Sequence, residues 1–377
     1  MQPGTAELRG NFMALRVGVI GVGWGSLVHV PAFRAVPEFE VVALCGRRQS
    51  SVEAAAGRLG IADFGTDWES FVKRSDLDVI SISAPVGMHR TMLLASLAAG
   101  KHTLCEKPLA LDGKQGWEMV QAAEGSGLVT GVCFENRFSP QRLALWDFVS
   151  GGGLGQPYFA SVLRTAPYWH PSRGEQSEWM YRIDEGGGYL NGMASHELDY
   201  LQTLLGRAIA VAADVRTVVK ERPREEGQPL QVDADDTSAL LLRMESGALA
   251  TVSTSVVGIH ANSSAFELLG SDDTVRAERD ASGDSVFVHG GPADEGVRPL
   301  EIPDRPLRSG TQWPAGRMSS GSRHAMAVML EEWLPAFDGK PSRVPTVRDG
   351  WSVQRLIDAA RDSSAGAGWV DLPESGS

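Results

Sequence analysis

Cysteine is scarce in this chain: Cys45, Cys105 and Cys133 are the only three in 377 residues. They share no metal-ligand spacing, and pairing any two leaves one over. A disulfide framework is therefore excluded, and reduced thiols in a cytoplasmic protein are expected. No apolar run approaches the roughly 20 residues that a membrane-spanning helix needs, so no membrane partner is expected. Positive charge is also short. The 35 Lys and Arg residues face 47 Asp and Glu, and the net charge of −12 argues against a nucleic-acid partner. The opening MQPGTAELRGNFMA lacks the basic-then-apolar order of a signal peptide and reads as a flexible tail over residues 1–13, as does 373–377. What remains is an ordinary globular composition, 42% hydrophobic and 22% charged, at a length that favours two domains.

The apolar strand pattern Leu15 to Ile20 runs directly into Gly21-Val22-Gly23-Trp24-Gly25-Ser26. This is the fingerprint G-x-G-x-x-G with serine in third place. Gly21 permits a tight turn, Gly23 lets the backbone approach a pyrophosphate, and small Ser26 lets the following helix pack on a sheet. A structural glycine turn is the alternative. The strand-like segments EVVALC (40–45), DVISISAP (78–85), HTLCEKP (102–108) and LVTGVCF (128–134) follow. Between them lie helix-like segments at 50–60, 89–100 and up to about Gly127. Alternating strands and helices with short connections predict a doubly wound parallel sheet.

The end of the second strand reads Cys45-Gly46-Arg47-Arg48, where an NAD-binding protein usually places a carboxylate. Guanidinium groups can hold a 2′-phosphate bidentately, so NADP(H) is favoured and NAD(H) remains possible. CEKPLA (105–110) lies at the carboxyl end of a strand, on the cofactor edge, and Pro108 restricts Lys107 to extended geometry. A lysine beside oxidised, positively charged nicotinamide loses its proton more easily and can serve as an acid or base. A surface ion pair of Glu106 and Lys107 is the plainer alternative.

GGGYLNGMASHELD (186–199) predicts a helix after its glycines. Leu190, Ala194, Leu198, Leu201 and Leu205 gather on one side, and Gly192, His196, Asp199 and Thr203 on the other. The second stripe faces either open water or a cleft. His89, His170 and His196 match no metal-ligand pattern, and no metal is expected.

Taken in order, the fingerprint, Pro85 and His89 in APVGMH, Glu106-Lys107-Pro108, Asn136-Arg137-Phe138 in FENRFSP and the GGG…H-x-x-D stretch resemble one family. It is the glucose-fructose oxidoreductase, inositol dehydrogenase and rhizopine-catabolism family of NAD(P)-dependent oxidoreductases. The resemblance runs from about residue 14 to 372. It implies a Rossmann domain over 14–135 and an α+β domain over 136–372 with a large, mostly antiparallel open sheet. A C-terminal helix at about 346–363 would pack near the first domain. Strand-like GQPYFASVLRTA, IAVAADVRTVVK, TSALLLRM, GALATVSTSVV, SAFELLG, TVRAER and SVFVHG fit that sheet.

The resemblance also implies cofactor contacts from Gly21, Gly23, Trp24, Gly25, Ser26, Gly46, Arg47, Arg48, Ala84, Pro85, His89, Glu106, Lys107 and Arg137. It turns His196 toward the cleft. Where many members carry a catalytic Asp one turn before this His, the chain has Gly192. Asn191 lies about 100° away on the helix and does not simply substitute. Lys107 is then expected as acid/base and His196 as the group that orients the substrate oxygen, with exchanged roles the close second. Asp199 is expected to position His196. Substrate contacts are expected from Lys107, Arg164, Tyr168, Trp169, Trp179, Asn191, Gly192, His196 and Asp199, and His170, Tyr181 and Arg182 are further candidates. The implied activity is hydride transfer to or from a sugar, cyclitol or related polyol, by a homodimer or homotetramer joined through the large sheet. A redox-neutral, glycoside-cleaving enzyme of the same family is the alternative, and a cofactor-binding regulator is a third.

Overall fold

The computed structural model describes residues 14–173, 177–224, 227–279, 285–290, 296–313 and 318–373. The expected tails, 1–13 and most of 373–377, lie outside them. The first half alternates strands β1 (Leu15–Ile20), β2 (Phe39–Cys45), β3 (Asp63–Gly65), β4 (Val79–Ile82), β5 (His102–Glu106) and β6 (Thr130–Cys133) with helices α1 (Val30–Arg34), α2 (Gln49–Leu59), α3 (Trp68–Val72), α4 (Val86–Ala98) and α5 (Gly113–Ser126). All strands pair in parallel in the order β3-β2-β1-β4-β5-β6. The strand order reverses between β1 and β4, which opens a crevice at their carboxyl ends. The apolar patterns locate the longer elements within a few residues. β3 and α3 are too short to show a period, although Asp67 caps α3 by accepting from the Glu69 and Ser70 amides.

The second half contributes α6 (Pro140–Ser150), β7 (Pro157–Thr165), α7 (Ser195–Leu205) and β8 (Ala208–Arg216), then the short ribbon β9 (Glu221–Arg222) and β10 (Leu230–Gln231). β11 (Thr237–Met244), β12 (Leu249–Ser255), β13 (Ser263–Gly270), β14 (Thr274–Arg279), β15 (Ser285–Gly290) and β16 (Val297–Pro299) follow, then helices α8 (Met318–Phe337) and α9 (Val347–Asp362) and strand β17 (Val370–Asp371). Nine strands form one sheet, β16-β15-β14-β13-β7-β12-β11-β8-β17, in which only the β12–β7 pair is parallel.

The last helices return to the first sheet. Trp351 of α9 packs against Trp117 of α5 with ring centroids 4.8 Å apart. The start of α9 is set by a capping box between Thr346 and Asp349. α8, which the strand patterns do not announce, covers the opposite face and stacks Trp333 on Phe39 at 6.2 Å. One apolar core therefore runs from one face of the parallel sheet into the nine-stranded sheet, and a second lies under α8.

Candidate active site

The glycine loop is shaped by backbone constraint. Gly21 has φ 107°, and a Cβ there would stand 2.0 Å from the Ser83 carbonyl oxygen, so no other residue fits. A Cβ on Gly25 would come within 3.1 Å of Val19 and 3.3 Å of Ser83. Gly23 is the opposite case: its Cβ direction meets nothing within 4 Å, which leaves the backbone open to a ligand. Ser26 is buried, and its hydroxyl donates to the Val22 carbonyl at 2.6 Å. Half-buried Trp24 precedes a π turn, Gly25–His29, that leads into α1. Ala84 and exposed Pro85 form the facing lip where α4 begins.

At the end of β2 a groove of about 480 Å³ is lined by Val22, Gly23, Arg48, Ser50, Ser51, Ala54 and Arg58. Gly46 is packed between Val22 and Val52, and Arg47 is exposed but outside this lining. Arg58, Ser50 and Ser51 are additions that the Arg47-Arg48 pair does not signal; Arg58 is reached by the helical spacing from Ala54. The groove's two charged residues are both arginines. Glycine cradle and arginine-lined groove together fit a dinucleotide.

His89 is buried, with ring nitrogens 2.8 Å from the Ala84 carbonyl and 2.9 Å from the Pro108 carbonyl. It ties two loops together instead of reaching toward a cofactor, because both ring edges are occupied. Glu106 is also buried. His29 Nε2 lies 2.9 Å from one of its oxygens, and the Lys107 amide donates to the other at 3.0 Å. The second nitrogen of His29 meets Ser81 at 2.8 Å. This buried Ser81–His29–Glu106 chain stands where the plainer alternative had a surface ion pair, and it lowers the Glu106 pKa against the cost of burial. His29, Glu106 and Cys133 bring three potential ligand atoms within 4.8 Å, but His29 is already bonded on both sides. The Lys107–Pro108 peptide is cis, and half-buried Lys107 extends its ammonium to the Gly192 carbonyl at 2.9 Å.

The helix after the triple glycine starts as a second π turn, Leu190–Ala194, in which the Ala194 amide donates to Tyr189, five residues back. A Cβ on Gly187 would stand 2.5–2.6 Å from three backbone oxygens, those of Trp179, Met180 and Arg182. Asp235 closes the turn by accepting from the Leu190 amide at 2.8 Å. The apolar stripe is buried as expected. On the opposite stripe His196 and Asp199, at 3% and 1% exposed, face neither open water nor a wide cleft, while half-buried Gly192 is left open.

Asp199 does not hold His196. It forms a buried, two-pronged ion pair with Arg137, for which the family resemblance implies a cofactor contact. The reason is non-local: Arg137 lies on the Glu135–Phe138 turn that packs against α7. His196 packs edge-on against Phe134 at 5.7 Å, and its Nδ1 has no hydrogen-bond partner among the described residues. Burial, reinforced by the positive Lys107, Arg142 and Arg164, holds its pKa well below the usual histidine value, so the ring is neutral.

Other expected substrate residues serve the fold. Asn191 is fully buried and donates to the Gly186 and Gly187 carbonyls at 3.1 Å, bracing the triple glycine. Trp169 is buried edge-on against Tyr181 and Tyr189. Arg164 binds Glu197, which sits between it and Arg142, and also binds Ser264. His170 meets Ser172, and Arg182 lies within 3.6 Å of Asp184 and Asp233. Tyr168 is exposed, Trp179 is half-buried, and Gly192 is half-buried with open space in its Cβ direction. These three remain available, together with Lys107 and His196.

Residues 15–134 match the model of the oxidoreductase family with an NAD-binding Rossmann fold, and residues 143–276 that of the GFO/IDH/MocA C-terminal domain. Levoglucosan dehydrogenase of Pseudarthrobacter phenanthrenivorans is 27% identical across 96% of this chain and 98% of its own. The D-glucoside 3-dehydrogenase of Escherichia coli is 32% identical across 51% of this chain and 54% of its own. A solved levoglucosan dehydrogenase in complex with NADH and levoglucosan superposes with a TM-score of 0.84 at 25% identity, covering 96% of this chain and 100% of that one. The chain belongs to the glucose-fructose oxidoreductase, inositol dehydrogenase and rhizopine-catabolism family of oxidoreductases.

Proposed function

We propose that the protein transfers hydride between NADP(H), or less readily NAD(H), and a hydroxyl-bearing or carbonyl carbon of a sugar, cyclitol or related polyol. The observation that carries this reading is the pairing of Lys107, anchored on the Gly192 carbonyl, with a neutral, buried His196 beside the dinucleotide edge of the parallel sheet. Gly21, Gly23, Gly25 and Ser26 would hold the pyrophosphate, and Arg48, Arg58, Ser50 and Ser51 a 2′-phosphate. When bound, the nicotinamide supplies or accepts the hydride.

The chain's own groups handle the proton. Charging His196 would place a cation among Lys107, Arg142 and Arg164 in a buried setting, so it serves as a neutral hydrogen-bonding group that orients the substrate oxygen. Lys107, the more exposed of the two, takes the hydroxyl proton in oxidation in its neutral-amine form, which the positive charge of oxidised nicotinamide favours, and returns it in reduction. This ranks the two assignments that residue type alone leaves open. The space beside Gly192 receives part of the substrate. The names of the relatives, dehydrogenases of levoglucosan, a glucoside and inositol, support a carbohydrate or cyclitol substrate.

Among the described residues no helix is long and apolar enough to cross a membrane. Three buried free thiols support a cytoplasmic setting. The outer face of the nine-stranded sheet carries Leu163 and Leu249, both partly exposed, and we assign it to homo-oligomer contact. Levoglucosan, other sugars, inositols and glycosides assayed with NADP+ and NAD+ test the reading. Net formation of reduced cofactor supports it, whereas turnover with no net change in cofactor absorbance would favour the redox-neutral alternative.

A further inference from the structure

We propose that Glu135, on the turn after β6, is the proton-relay partner of Lys107: it receives the proton that Lys107 takes from the substrate hydroxyl and returns it in the reverse reaction. The inference rests on Lys107 being the acid/base group. Lys107 needs somewhere to send that proton. Its hydrogen-bond partner, the Gly192 carbonyl oxygen, accepts a hydrogen bond but does not take up a proton near neutral pH. The neighbouring carboxylates are occupied. Glu106 is held by His29 and the Lys107 amide, Asp199 by Arg137, and Glu197 by Arg142 and Arg164.

Glu135 is different. It is 5% exposed, and its Oε2 is sealed from solvent without a hydrogen-bond partner among the described residues. Buried polar atoms are nearly always bonded, and an ionised carboxylate in this position would be costly. Strand register places the residue close to Lys107. Glu106 pairs with Cys133 across β5 and β6, so Lys107 and Glu135 leave adjacent strand ends.

The groups acting on the Glu135 carboxyl are Glu106 at the end of β5, Lys107 just after it and Asp199 from α7. Cys133 on β6 is a buried thiol whose pKa is raised, and Arg137 on the same turn is paired with Asp199. α8 also packs against this turn, but its Arg323 and Glu331 are directed to the Leu27 carbonyl and to Arg308. Burial, then the charge of Glu106, pushes the Glu135 carboxyl up to about 8. Two adjacent carboxyls are thus driven apart, one ionised and one ready to exchange a proton near neutral pH.

In oxidation the substrate O–H bond breaks, an N–H bond forms on the Lys107 amine, and the hydride leaves for NAD(P)+. No hydrogen bond or ion pair joins the two side chains among the described residues, so the Lys107 N–H bond then breaks toward one intervening water as that water forms an O–H bond on the Glu135 carboxylate, which regenerates the amine. After product departs, the proton returns through half-buried Lys107 to water.

The test compares wild type with Glu135→Gln, Glu135→Asp and Lys107→Met, using levoglucosan with NADP+ as the first probe and then the best substrate of the panel. Glu135→Gln is expected to lower kcat about 10- to 100-fold, at or below the range for direct acid/base groups, with KM within about twofold. It should also remove the ionisation near pH 8 from the rate profile, and Glu135→Asp should restore part of both. Infrared spectra of the ligand-free protein give a readout independent of activity. A protonated-carboxyl band should fade as pH rises through about 8 in wild type and be absent from Glu135→Gln.

Wild-type kcat and pH profile in Glu135→Gln, or a Glu135 ionised throughout, would overturn the proposal. So would a fall in kcat with unchanged pH dependence and a lower melting temperature, which marks a structural role. If Lys107→Met is inactive while Glu135→Gln is normal, only the relay fails. If Lys107→Met turns over normally, the acid/base assignment beneath it fails as well.

Discussion

The glycine loop at 21–26 and the glycine turn at 186–192 look alike in sequence, and each opens into a π turn that starts a helix. They differ in what their glycines meet. In the first, Gly21 is fixed by Ser83 while Gly23 faces empty space, so one position is kept for the fold and the other for a ligand. In the second, Gly187 is enclosed by carbonyl oxygens and Gly188, at φ 101°, would press a Cβ against Asp235, while only Gly192 is open. Two glycine-rich turns therefore divide the same labour differently, and the open member of each marks the cleft. Removing groups from either turn should separate these roles.

The largest effect is expected where the turns meet. Lys107→Met should reduce turnover at least about 10²-fold while leaving cofactor binding nearly intact, measured by steady-state kinetics and cofactor titration. Gly187→Ala should destabilise by at least about 1–3 kcal/mol, because its methyl group meets backbone instead of a movable side chain. Gly23→Ala should melt close to wild type and bind dinucleotide more weakly. Equal melting temperatures for the two variants would erase the distinction.

Arg48→Ala should weaken NADP+ binding by about ten- to a hundredfold, the scale of one charge-assisted contact, with little change for NAD+. If wild type binds both cofactors equally, the assignment of the arginine groove fails. Gly46→Asp is a poor probe of the same preference, since a Cβ there already meets Val22 at 3.0 Å.

A pH effect on stability should follow from Glu135. Its folded-state value of about 8 lies above the ordinary 4.5, so the folded protein holds a proton that the unfolded chain has lost in that window. The resulting stability is fully present below about pH 4.5 and is lost as pH rises through about 8. Thermal melts of Glu135→Gln should show a shallower decline over that window than wild type. The smallest effect is expected from Gly192→Ala, which should stabilise by up to about 1 kcal/mol and raise KM or lower kcat. A higher melting temperature with untouched kinetics would show that the space beside Gly192 takes no substrate.

Elements built from contiguous residues were legible in the sequence. The parallel sheet and most strands of the second sheet follow from apolar period and from Gly and Pro punctuation, and α9 from the family resemblance. The two π turns were not, because a single wide turn leaves no period; α8 lies in a stretch where no helix was expected. Within the site, Lys107, His196 and the glycine loop could be named from their motifs. Their partners could not. Asp199 looks like a partner for His196 at a spacing of three, yet it pairs with Arg137 from 62 residues away. His29 gives no local sign of its bond to Glu106, 77 residues on. Asn191 and Trp169 are polar and aromatic residues in the right segment, and only packing shows them to be bracing and core.

The central claim is that Lys107 moves the proton while His196 stays neutral. Its most direct test is a nitrogen-15 NMR titration of histidine-labelled protein, with His196 identified by loss of its signals in His196→Gln. The account predicts a neutral imidazole with no titration through the ordinary histidine value of 6.5, because burial and three nearby cations oppose its charging. An imidazolium that forms at or above that value would contradict it and return the acid/base role to His196.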